Sequence, residues 1–298
     1  MTFEEVTASK LAELPPKVSA FRRFIRVFFG RKIVGFGMVI IVIFLLTAAF
    51  ATWIAPYDPY EQHIDNLLQP PSWQHWLGTD TLGRDTLSRI IMASRTTLMV
   101  GIVALGIAAI VGMILGLLAG YLGGWTQSII MRIMDALMAF PMILLALVIA
   151  SLLGGGLTNV MIALGISLVP GYARLMCGQV LSVKENEYVL AERSIGASSS
   201  RIMLLHIFPN CLPPLIVMIT TMMGMTILAE AGLSYLGIGI EAPKAAWGGM
   251  INDGYPRITT SPILSFAPGI AIMLVVFSFN MVGDGLRDAI DPRLKGTI

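Results

Sequence analysis

Between Asp135 and Arg174 the chain carries no Asp, Glu, Lys or Arg. A hydrocarbon core about 30 Å thick is crossed by roughly 20 helical residues at ~1.5 Å each, so this tract is too long for one crossing. Gly154-Gly155-Gly156, followed by Thr158 and Asn159, supplies a tight turn within it. The tract therefore divides into two spans, at about 129–153 and 160–180. Apolar runs at 33–55, 97–120, 212–233 and 263–282 bring the total to six. Charged residues make up 13% of the chain and hydrophobic ones 56%, against about 25% charged in a soluble domain. The expected fold class is all-α, a polytopic membrane protein of about six transmembrane helices.

The first run has a competing explanation, because Ala49-Phe50-Ala51 has the small-x-small look of a signal-peptide cleavage site. The long region before it and the length of the apolar run favour an uncleaved anchor instead. Ahead of it, 18–32 places Phe21, Phe24, Ile25, Phe28 and Phe29 on one helical face, with Arg22, Arg23 and Arg26 on others. That pattern predicts a basic amphipathic helix lying at the membrane surface, with packing on a partner as the alternative.

Basic residues set the orientation. Of 20 Lys and Arg, five (Arg84, Arg89, Arg95, Lys244 and Arg257) fall on one side if the N-terminus lies on the other. Arg174 sits near an inner span end, from where it can snorkel, which leaves fourteen on the N-terminal side. The positive-inside rule then puts both termini and the polar stretch 187–210 in the cytoplasm. The net charge of +2 gives no reason to expect nucleic acid. The two cysteines, Cys177 and Cys211, lie in or beside apolar runs and read as small buried hydrophobes.

Sequence signals for catalysis are missing. The lysines follow Ser9, Pro16, Arg31, Val183, Pro243 and Leu294, never a glycine, so no P-loop lysine is in place to reach a nucleotide's phosphates. There is no His-Glu-x-x-His, no Gly-x-Ser-x-Gly, and His63, His75 and His206 are scattered. Gly237-Ile238-Gly239 follows a membrane helix and runs into Pro243, the wrong setting for a dinucleotide fingerprint.

The stretch 187–210, EYVLAERSIGASSSRIMLLHIFPN, is the chemically informative one. Glu187, Glu192, Arg193 and Arg201 sit among helix formers, and Gly196 and Pro209 interrupt them. Two short helices joined near Gly196-Ala197-Ser198, with a proline leading into the next span, is the expected structure. Small residues at the joint let a partner approach closely, and Glu192 and Arg193 can fix register against it. An ordinary surface helix pair between spans is the bland alternative.

Ala191, Gly196 and Pro209 stand in the register of a known pattern: this loop resembles the cytoplasmic coupling loop of ABC importer permeases. Gly78-Thr79-Asp80, Gly83-Arg84-Asp85, Ala139-Phe140-Pro141, Trp247-Gly248 and Gly283-Asp284-Gly285-Leu286-Arg287-Asp288 resemble the C-type subunit of dipeptide, oligopeptide and nickel importers. The resemblance implies a type I importer permease fold in a bacterial or archaeal inner membrane. It also implies a heterodimer with a second permease, two cytoplasmic ATPase subunits that hold the ATP and Mg, and an extracytoplasmic binding protein. No cofactor or metal is expected in this chain itself. The loop, through Glu187, Ala191, Glu192, Arg193, Gly196, Ala197, Ser198 and Pro209, would sit in a groove on an ATPase. Di- and oligopeptides lead as substrates, with nickel chelates, glutathione and other small solutes open. A scaffold that docks a cytoplasmic partner without passing substrate is the reading from another class, and a membrane enzyme is third.

The expected organisation is a cytoplasmic tail and elbow helix at 1–32, a first span at 33–55 and an extracytoplasmic loop at 56–96. A five-helix core follows at 97–285, containing the cytoplasmic loop 181–210, and a tail closes the chain at 286–298. A short interfacial helix is expected after Asp80, and a salt-bridged collar from Asp80, Arg84, Asp85 and Arg89, serving packing or contact with a binding protein. Gly112, Gly116 and Gly120 form two Gly-x-x-x-Gly steps for close helix packing. Pro141 and Pro170 are candidate kinks, and Arg132 and Asp135 are spaced to pair at the membrane edge. Glu230, near the outer end of the fifth span, is a candidate pathway or outer-gate residue. A hydrogen-bonded structural carboxyl explains it equally well.

Overall fold

The computed structural model describes residues 20–290. Each long apolar run forms a helix because a lipid-facing backbone must satisfy its own hydrogen bonds. Helix α1 (Ala20–Phe28) leads into α2 (Lys32–Ala49), which a last turn at Ala51–Ile54 extends. The rest are α3 (Thr86–Leu122), α4 (Gly124–Met138), α5 (Met142–Leu152), α6 (Leu157–Val183), α7 (Glu187–Ser194), α8 (Ser199–Tyr235), α9 (Trp247–Gly254) and α10 (Ile263–Ile290). Five are long and apolar enough to cross a membrane. The α4–α5 pair, bent by 90°, makes a sixth crossing if taken as one span. Among the described residues the only β element is an isolated bridge between Thr79 and Asp85.

The crossings alternate in direction. Consequently the outer ends of the described chain, α1 and the end of α10, lie at the same end of the bundle as α7. Arg31 and Asp288 join them at 3.0 Å. The residues between α2 and α3 and helix α9 form the opposite end, here termed the collar. Helices α3 and α6 make the most extensive pair. The glycine stripe explains it: a Cβ on Gly112 would stand 2.5 Å from Tyr172 Cβ, and one on Gly120 would stand 2.7 Å from Val180 Cβ. Small residues at these positions let the two backbones touch.

Three expectations need correction. The helix after Asp80 is no separate interfacial element: Asp85 caps α3, which runs on unbroken to Leu122. Of the two candidate kinks, Pro141 marks the 90° break between α4 and α5, and Pro170 lies within α6. Pro209 does not interrupt the chain. The segment Ile202–Ile207 widens into a π-turn, and α8 carries on to Tyr235. Its ring would collide with the carbonyl four residues back, at Leu205, and the wider turn takes up that misfit. Finally, Asp135 pairs with Arg174 of α6 instead of Arg132. The neighbouring helix offers a guanidinium across the α4–α6 contact, so Arg174 turns sideways and does not snorkel to the helix end.

The predicted elbow helix is partly described, residues before 20 lying outside the description. Phe24 and Phe28 of α1 pack with Leu286 and Ala289 of α10, while Ile25 and Phe29 remain exposed.

Candidate docking loop

Helix α7 starts after Asn186 in an extended conformation, and Glu187 places a carboxylate in its first turn, where the helix dipole favours one. Glu187 and Ala191 are exposed. Val189 points inward and is fully buried with Ile202, Ile207, Met176 and Val180. The helix stops through hydrogen bonding. The Ala197 amide donates to the Glu192 carbonyl and the Gly196 amide to the Arg193 carbonyl, both at 3.1 Å. This is the Schellman arrangement, which needs a left-handed residue after the C-cap. Gly196 fills it with φ +80°. An added Cβ there meets nothing within 4 Å, so the glycine serves conformation and leaves the space above it open. Ser198, extended, then opens α8.

Polar side chains brace the loop against its own chain. Glu192 Oε1 lies 3.5 Å from His206 Nε2 on α8. Arg193 sits 5.6 Å over the Tyr121 ring at the end of α3. Lys184 donates to the Gly120 carbonyl at 3.2 Å, capping the same helix end. Glu192 and Arg193, expected to set register with a partner, each also contact the bundle, and Arg193 remains exposed. The outward surface mixes polar residues such as Glu187, Ser194 and Ser198 with bulky apolar ones: Ile195 is 78% exposed at the tip, and Tyr188 and Leu190 on α7 are exposed as well. Pro209 lies apart from the tip, exposed within α8. His206, Tyr121 and Ile195 were not singled out from the sequence. The isolated Ile between Ser194 and Gly196 was the one available signal, a bulky apolar residue where a solvated turn would take a polar one.

At the opposite end the expected collar is present and buried. Asp80 accepts from Arg84 Nε at 2.7 Å and lies 3.4 Å from Arg89 Nε. Asp85 caps α3 through the Ser88 amide at 2.8 Å and takes His75 Nδ1 at 2.8 Å on its other oxygen. Arg89 also reaches the Pro59 carbonyl at 3.3 Å. His75 is the member the sequence did not mark. At the rim, partial desolvation pushes the Asp253 carboxyl above its ordinary range, Arg89 and Arg84 pull it down, and Asp80 adds to the rise.

Glu230 is fully buried on α8. Its Oε1 accepts from Ser234 Oγ at 2.8 Å, and Ser234 Oγ in turn accepts from the Ile240 amide at 3.2 Å. No partner reaches its Oε2. In this structure Glu230 ties α8 to the segment that follows it. Cys177 and Cys211 are free and buried, and no group of metal-ligating side chains occurs among the described residues.

A serpentine bundle of spans with a braced helical loop at one end and a charged collar at the other is the architecture of a polytopic integral-membrane protein. The chain belongs to the family described as binding-protein-dependent transport system inner membrane component, whose model matches residues 112–296. A second model, the N-terminal TM domain of oligopeptide transport permease C, matches residues 19–71. Glutathione transport system permease proteins GsiD from Escherichia coli O6:K15:H31 (strain 536 / UPEC) and Shigella boydii serotype 4 (strain Sb227) are each 44% identical over 257 residues. They cover 86% of this chain and 85% of their own. A chain from the inward-facing MetNI methionine ABC transporter shares the fold, with TM-score 0.54 and 16% identity over 68% of this chain and 96% of its own. The chain is thus a multi-pass ABC importer permease of the inner membrane, within the wider peptide-importer group.

Proposed function

We propose that this permease forms half of a heterodimeric pore that imports short peptides, glutathione among them. Similarity to glutathione permeases over most of the chain supports the substrate class, and chemistry unites the two possibilities, since glutathione is itself a small peptide. The α7 loop docks on a cytoplasmic ATPase subunit, which holds the ATP and Mg, and an extracytoplasmic binding protein delivers substrate to the collar end. Both termini are cytoplasmic in this reading, as the Lys and Arg bias requires.

The observation that carries the coupling role is the tip itself. A bulky apolar side chain, Ile195, stands exposed on a turn whose backbone is fixed from within by hydrogen bonds and whose flanks are braced to α3 and α8. A lever needs that combination, an outer face free to bind and an inner face firmly joined to what it moves. ATP-driven closure of the two ATPases would draw the paired loops together and tilt the spans. The test is peptide uptake by the reconstituted complex carrying Gly196→Asp. The assembled complex should remain in the membrane without transporting. Normal uptake would remove the coupling role, and a complex that shows no substrate-stimulated ATP hydrolysis even in its native form would favour a scaffold.

A further inference from the structure

We propose that Arg174 and Asp135 line the translocation path and hold the two charged ends of the peptide in transit, Arg174 its carboxylate and Asp135 its ammonium group. The proposal rests on the peptide-importer reading for its ligand, and on the structure for its location. These two residues bound the charge-free tract in the sequence, and the fold brings them together, Arg174 Nη2 on Asp135 Oδ1 at 2.5 Å. Their depth follows from residue count. Arg174 lies about 14 Å along α6 from Val183, and Asp135 about 17 Å along α4 from Gly124, at ~1.5 Å per residue. Helix α6 is about 40 Å long on the same measure, so a hydrocarbon slab about 30 Å thick centred on it would take in Arg174 and the Asp135 it holds.

Both side chains are nevertheless open at the surface of this chain, 52% and 56% exposed. Charges at that depth do not face lipid; they face protein or a water-filled cavity. Helix α6 is the most enclosed span, with 72% of its apolar window buried. Its fully exposed positions, Thr158, Ile166, Arg174, Gly178 and Ser182, fall on one four-residue line that winds round the helix and is interrupted by buried Pro170. Such a line on the central helix of a half-pore suits a passage.

Chemistry separates a passage from a dry subunit contact. A guanidinium has five N–H donors, and one short contact to Asp135 leaves most of them to be satisfied. Water, or a carboxylate that replaces it, satisfies them. A zwitterionic peptide offers a carboxylate and an ammonium, and the pair presents the complementary charges side by side. Because Arg174 and Asp135 also neutralise each other, neither holds a solute strongly enough to stop it leaving, as conduction requires.

The test uses the complete transporter in lipid vesicles and leaves the pair intact. Ile166→Cys and Gly178→Cys introduce thiols on the same line, and a Cβ at Gly178 meets nothing within 4 Å. A charged methanethiosulfonate reagent should modify both, with a several-fold change in rate when ATP is added. Cross-linking to the second permease without modification would make the line a subunit contact. Modification only by a membrane-soluble maleimide would make it lipid-facing. Either result overturns the proposal without touching the importer reading. In a second measurement, Arg174→Gln should lower uptake of a free-carboxylate peptide about tenfold or more relative to its C-terminal amide, with binding-protein affinity unchanged. An equal fall for both peptides would remove Arg174 as the carboxylate's partner.

Discussion

The two ends of the bundle are built on opposite principles. At the collar, charges are buried and meet one another: Asp80, Arg84, Asp85, Arg89 and His75 are all nearly inaccessible and stitch the loop between α2 and α3 onto the start of α3. At the docking loop, Glu192 and Arg193 lean on α8 and α3 without being buried, and an isoleucine stands in the open. The first arrangement resists deformation, because loss of any member strands another charge in a place water does not reach. The second transmits it, since a short helix with one buried anchor, Val189, moves as a unit with the helices it touches. The proposed coupling role would be served by this contrast, a rigid rim at one end and a movable loop at the other.

The largest effect that would break the contrast is expected from Asp80→Ala. It leaves Arg84 and Arg89 without their carboxylate, and stranding a buried charge costs about 3–5 kcal/mol. Thermal unfolding of the purified chain in detergent should show a marked loss of stability, and no comparable loss for any substitution of the α7 surface. Val189→Ala should cost about 2 kcal/mol, read as faster hydrogen exchange over α7 with collar exchange unchanged. Gly196→Val forces a β-branched side chain into the left-handed region and should destabilise the turn by about 1–2 kcal/mol. Protein yield should hold while substrate-stimulated ATP hydrolysis falls, because the space around the glycine is empty. Arg193→Ala removes the Tyr121 contact, worth about 0.5–1 kcal/mol, and should weaken coupling partially without abolishing it.

The smallest effect is a pH dependence at the collar. With the Asp253 carboxyl pushed up in the folded protein, ionisation is harder there than in the unfolded chain. Its unfavourable contribution is therefore absent below the ordinary carboxylate range. It grows as pH rises through that range toward the raised value and is constant above it. The residue remains open to solvent at the rim, so the slope is shallow. Asp253→Asn should remove that slope from denaturation midpoints followed between acidic and neutral pH.

Much of this architecture is legible in residue patterns because lipid imposes a strict rule on apolar length. The spans, the Gly112-Gly116-Gly120 contact and the break at Gly196 each follow from local sequence. What escaped has a common cause: it depends on residues far apart in the chain. The partner of Asp135 lies 39 residues away on another helix, where spacing along one helix favours Arg132. His75 enters the collar because a turn brings it under Asp85, and an isolated histidine carries no such signal. Pro209 reads as a break, yet a π-turn upstream absorbs it. Glu230 could be read as a gate or a structural carboxyl from sequence, and the fold places it among buried hydrogen bonds with one oxygen unpaired.

The most direct test of the coupling account is chemical access to the tip. Ile195→Cys places a thiol at the most exposed point of the loop, and native Cys177 and Cys211 are buried and give little background. In the complete transporter, a short bifunctional reagent should join position 195 to an ATPase subunit, and a bulky water-soluble maleimide should be excluded. If the maleimide reacts as freely in the complex as in the isolated permease and no cross-link forms, α7 does not dock an ATPase, and the proposed coupling loop is only a surface turn.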